Sequence, residues 1–198
     1  MQLAEEIIVR DTLKRYEAKL SEAVAGAWAD WKALGLGGQL QFPGRSRACL
    51  VYDFFVKRAI TAFSDDASVY VVLRDETAKF VFCNQTVLRF KKANDNGLGS
   101  NIQTQATLNF VDQQQNLFGL PDLHKVELVY RLNRLQTQID EIVIAARDGN
   151  MCLWSYMLTP EMTAEIVPLP LAAAPEPARV KIKVKGADIG GQKKGSRD

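Results

Sequence analysis

Between Phe63 and Val69 the hydrophobic period of the chain changes from that of helices to that of strands. This change constrains the fold more than any other feature. Residues 3–34 read as a long amphipathic helix. Leu13, Tyr16, Leu20, Val24, Ala27, Trp31 and Leu34 recur at helical spacing, with Lys14, Glu17, Glu22 and Asp30 mostly on other faces. Gly35, Gly37 and Gly38 end it, and Pro43-Gly44 punctuates the connection. A second helix is expected over Arg45–Phe63, with Cys49, Val51, Phe54, Phe55, Ile60 and Phe63 supplying apolar surface. Ser64-Asp65-Asp66 closes it.

Alternation then predicts three consecutive strands, Val69–Leu73, Lys79–Cys83 and Thr86–Lys91, with turns at Asp75-Glu76-Thr77 and Asn84-Gln85. Ile102, Ala106 and Phe110 are spaced for a helix over Ile102–Val111. Gln113–Asn116 and Gly119–Asp122 read as loop. Val126–Leu132, Glu141–Ala146 and Met151–Leu158 read as further strands, with Arg134–Gln138 a short helix or an extended connection. Asp148-Gly149 marks a hairpin, whose central positions favour residues that tolerate positive φ. The fold class is therefore α+β: two N-terminal helices packed on a mostly antiparallel five- to six-stranded sheet, with one inserted helix.

The body is expected to span residues 1–167, a length that buries a sufficient core without disulfide or metal staples. Residues 168–178 form a Pro/Ala-rich linker, extended because proline removes donors and restricts helices. Residues 179–198 form a basic tail in which Val180, Ile182 and Val184 alternate with lysines. Its end has too little apolar content to fold alone, so disorder is expected there. The tail holds seven bases against two acids, a surplus larger than the whole-chain net charge of +2. The rest of the chain is thus net acidic, and a basic pI does not make the body a nucleic-acid binder.

Cys49, Cys83 and Cys152 are odd in number and widely spaced, which fits three buried reduced thiols in a cytoplasmic protein. Acids stand near the N-terminus where a secretory leader has bases, and no apolar run approaches membrane-spanning length. No pattern for a metal site or a cofactor is present, and none is expected.

The stretch with most chemical potential runs from Val87 to Gln105. If Leu88 and Phe90 face the core, Arg89 and Lys91 share the other face. Lys92 and the loop of Asn94, Asn96, Gly97, Gly99, Ser100 and Asn101 add donors, followed by Gln103. Arg45 and Arg47 sit at the front of the second helix, where cations are locally unfavourable. Together these residues are the candidate ligand-binding set, suited to a phosphate. The bland alternative is a solvated sheet face followed by a glycine turn.

The expected function is that of a non-catalytic intracellular accessory or regulatory protein. It would bind a protein partner or nucleic acid through this basic strand and loop, with the tail adding nonspecific affinity. The order helix, three strands, helix, strand resembles the core of the PD-(D/E)xK nucleases. That resemblance implies a metal-dependent nuclease using Asp75, Glu76 and Lys91. The chain departs from the motif at Arg89, which stands where an acid belongs. A third reading is a homo-oligomeric scaffold, a homodimer through the first helix with its Trp28/Trp31 pair. His124 reads as an edge-of-core residue.

Overall fold

A computed structural model describes residues 3–35, 42–74, 77–102, 104–117 and 123–158. The linker and tail assigned to residues 168–198 lie outside the described residues, as do Asp75, Glu76 and Gln103.

The N-terminal stretch is two α-helices rather than one. Helix α1 (Glu6–Leu13) passes through a 3₁₀ turn (Lys14–Tyr16) into α2 (Glu17–Ala33). The tighter turn places residues three apart on one side, so Leu13 and Tyr16 are both buried. Tyr16 packs edge-on against Phe63, with ring centroids 5.8 Å apart. Helix α3 (Gly44–Phe63) lies against α2. Arg58 reaches across to grip both Asp30 oxygens, at 2.6 and 2.7 Å. It passes over Gly26, where a Cβ would lie 2.5 Å from the guanidinium. Trp28 and Trp31 are buried within the chain itself.

Six strands follow: β1 (Val69–Arg74), β2 (Thr77–Phe82), β3 (Thr86–Lys92), β4 (His124–Leu132), β5 (Ile139–Asp148) and β6 (Met151–Met157). They lie in one sheet in sequence order. Every neighbouring pair is antiparallel except β3 and β4, which run parallel with Arg89 opposite Glu127. Parallel neighbours need a crossover, and residues 93–123 supply it with α4 (Gln105–Val111). That helix starts later than its spacing suggests. Thr104 caps it by accepting from the Thr107 amide at 3.2 Å, and Ile102 stays outside and exposed.

Strand alternation divides the sheet into two unlike faces. Phe80, Phe82, Leu88, Phe90, Val126 and Leu128 join the main core with residues of α1–α3. Phe55 of α3 stacks on Phe90 at 4.0 Å. The other face holds a smaller apolar cluster among the described residues, Val81 and Val87 with Phe110, Val111 and Leu123. Beside it stand four buried charged residues: Arg89, Lys125, Glu127 and Arg147.

Smaller expectations are corrected. In the β5–β6 hairpin Asp148 pairs with Met151, so the central residues are Gly149-Asn150. Gly149 has φ +56° and stands first, as glycine does in a type II′ turn. Residues 134–138 form a turn closed by the Asn133 amide donating to Gln138 at 3.0 Å, neither helix nor extended chain. The cysteines are not buried: Cys49 and Cys152 are exposed and Cys83 is intermediate. Cys49 lies on a helix and Cys152 on an edge strand, each on a side the core does not cover. His124 is buried and accepts from the Glu5 amide at 3.4 Å.

Candidate anion site

Glu127 organises the polar face of the sheet. It is fully buried in the middle of β4, between Val126 and Leu128 of the main core. Its Oε1 accepts from Arg89 Nε at 3.0 Å and Nη2 at 2.5 Å. Its Oε2 accepts from the Gly99 amide at 2.9 Å and faces Arg147 Nη1 at 3.6 Å. Burial alone would push the Glu127 carboxyl up. The charge and hydrogen bonds of Arg89, then the charge of Arg147 and the Gly99 amide, outweigh it and hold the carboxyl below its ordinary range. Arg147 also donates to the carbonyl oxygens of Gly99, at 3.2 Å, and Gly149, at 2.7 Å.

The crossover loop is tied down by these contacts. Asn94 Oδ1 accepts from the Asn96 and Leu98 amides, both at 3.0 Å, and the Gly97 amide donates to the Asn94 carbonyl. The Ser100 amide donates to Lys92, and the Asn101 side chain donates to Gly99. The glycines are required by close approach. A Cβ on Gly99 would lie 2.7 Å from Glu127 Oε2 and 2.8 Å from Lys91 Cβ. Gly97 has φ +76° and packs under Arg131. The amides of residues 96–100 therefore all have acceptors within the protein. Side chains beside the loop supply further donors.

Those side chains meet in a cavity of about 520 Å³ between α3, the β2–β3 pair and α4. Arg89 and Lys91 of β3, Lys79 of β2, Tyr52 of α3, and Thr104 and Thr107 line it. No described lining residue is a carboxylate. Val81 and Val87 share the α4-side cluster, so alternation puts Lys79 and Arg89, each two residues on, on that same face. Arg89 is 6% exposed, and its guanidinium lies 4.2 Å from the Phe110 ring centroid. With Nε and Nη2 held by Glu127, its Nη1 has no hydrogen-bond partner among the described residues. Lys91 makes no hydrogen bond or ion pair among them. Burial first, then the Arg89 charge, pushes its ammonium pKa down. Tyr52 Oη accepts from the Ala78 amide at 2.6 Å, leaving its own proton available.

The structure brings Arg89 and Lys91 together and sets Arg45, Arg47 and Lys92 apart from them. Arg45 is exposed on α3. Arg47 donates to the Gln136 side chain in the β4–β5 turn. Lys92 faces away from Lys91, and burial, then the nearby Arg47 charge, lowers its pKa.

The chain matches no protein-family model, no curated protein and no solved structure.

The site thus stands on its own geometry. The sequence reading missed Glu127 and Arg147. The available signal was the pair Lys125 and Glu127, charged at alternate positions of an apolar strand. A larger groove of about 770 Å³ between α2 and α3 has mixed charge, with Glu22 and Asp30 beside Lys19, Lys57 and Arg58. Among the described residues no group of three or more His, Cys, Asp or Glu could hold a metal ion, and no helix is long and apolar enough to cross a membrane.

Proposed function

We propose that this is a non-catalytic binding protein that receives phosphate groups of nucleic acid in the recess between β3 and α4. One observation carries the reading: Arg89 and Lys91 share a recess with no carboxylate among its described lining residues. A partly desolvated ammonium beside a second cation is costly, and an anion between them relieves both desolvation and repulsion. Glu127 serves this arrangement by orienting Arg89 from behind through two hydrogen bonds. The tail of residues 179–198 adds sequence-independent attraction to the same polymer.

The nuclease reading gains the parallel β3–β4 pair with its connecting helix, which keeps the element order of that group. It lacks the chemistry at the decisive position. Two residues before Lys91 stands an arginine whose guanidinium is committed to Glu127.

The test is a salt series of binding to labelled single- and double-stranded DNA and RNA, with Mg²⁺ present and the probes checked for cleavage. Lys91→Ala is expected to weaken binding and reduce the slope of log affinity against log salt by about one. Replacing Lys181, Lys183 and Lys185 by glutamine measures the tail's share. Binding indifferent to Lys91 overturns the site, and cleavage overturns the non-catalytic reading.

A further inference from the structure

We infer that the recess between β3 and α4 takes a phosphomonoester, at a nucleic-acid strand end or on a free nucleotide, in preference to an internal phosphodiester. The inference rests on the phosphate reading above and narrows its ligand class.

Charge is the first argument. Arg89, Lys91 and Lys79 line the recess, no described lining residue is acidic, and the single carboxylate of Glu127 behind Arg89 is shared with Arg147. Lys125, the other buried base on this face, is directed elsewhere. Its ammonium donates to the carbonyls of Asn109, Asp112 and Gln115, with Asp112 and Asp148 nearby. A phosphomonoester carries about −1.5 to −2 at neutral pH, and each internal phosphodiester carries a single charge. The monoester brings this basic lining up to twice the charge of a diester.

Donor number is the second. A terminal phosphate presents three strong acceptor oxygens. The donors of the recess without a described acceptor include Arg89 Nη1, the Lys91 ammonium and the Tyr52 hydroxyl proton. Burial pushes the Tyr52 phenol pKa up, so it remains a donor at neutral pH.

Depth is the third. At about 520 Å³ the recess has the size of a small-molecule pocket, and Arg89 within it is 6% exposed. An internal phosphate must bring its chain in and out of that space; a terminal one brings a single attachment.

The experiment compares full-length protein binding to matched single-stranded oligonucleotides with a 5′-hydroxyl, a 5′-phosphate or a 3′-phosphate, each labelled at the opposite end. A nucleoside 5′-monophosphate, the bare nucleoside and inorganic phosphate are titrated as competitors. A terminal phosphate is expected to tighten binding about tenfold or more, as charge-assisted hydrogen bonds do. Lys91→Met should erase that increment and Lys91→Arg should retain much of it, with thermal melting confirming that both variants fold. Equal affinity with and without a terminal phosphate overturns the inference in the wild-type protein alone. If that equal binding still depends on Lys91, the nucleic-acid reading stands without it. If oligonucleotides fail to bind while the nucleoside monophosphate and inorganic phosphate do, the phosphomonoester class stands and the nucleic-acid reading falls.

Discussion

The carboxylate of Glu127 and the amide of Gly99 lie 2.9 Å apart, joining the middle of a central strand to the loop that crosses over it. The same carboxylate holds Arg89, so one acidic side chain fixes both the wall and the lip of the recess.

Removing that acid should be severe. Glu127→Ala leaves Arg89 and Arg147 buried and facing one another with no counter-charge, and breaking a buried pair in this way costs about 3–5 kcal/mol. Urea denaturation of both proteins checks it. A loss within experimental error would mean that water already solvates the cluster.

Acid should act through the same group. The folded Glu127 pKa lies below its unfolded value. Its contribution is therefore fully present above the ordinary carboxylate range and is lost as pH falls through the folded pKa. Glu127→Gln cannot titrate there. Between pH 7 and pH 3 its stability should fall less steeply than that of the wild type, as read by denaturation at each pH.

The two loop glycines should differ in the cause of their cost. Gly99→Ala forces a methyl against Glu127 and the Lys91 stem, with about 1–3 kcal/mol expected for overpacking. At Gly97 the neighbour is the far end of Arg131, which can move, and the positive φ costs about 1–2 kcal/mol. Restoring space at position 91 with Lys91→Gly should recover part of the loss in Gly99→Ala and none in Gly97→Ala. A double-mutant cycle measures this.

Lys125 should hold the end of α4. Its ammonium satisfies carbonyls at and beyond the helix C-terminus, where a cation also complements the dipole. Lys125→Met removes these bonds and should cost about 1–3 kcal/mol. Hydrogen exchange at Phe110 and Val111 should accelerate more than in β5. Uniform acceleration would show that α4 has no separate opening.

The sequence by itself determined the elements and one face of the sheet. The helical spacing of Leu13, Leu20, Val24 and Trp31, and the alternation of Leu88 and Phe90 with Arg89 and Lys91, encode burial along a single segment, and the structure follows them. The break at Lys14–Tyr16 was not legible, because a 3₁₀ turn preserves the i, i+3 relation that the periodic pattern reports. The parallel pairing of β3 with β4, and with it the meeting of Arg89, Glu127 and Arg147, belonged to the tertiary structure alone. These three residues are separated by 38 and 20 positions in the chain. Only strand register brings their charges within hydrogen-bonding and ion-pairing distance, since electrostatic partnership depends on distance in space and leaves no local period.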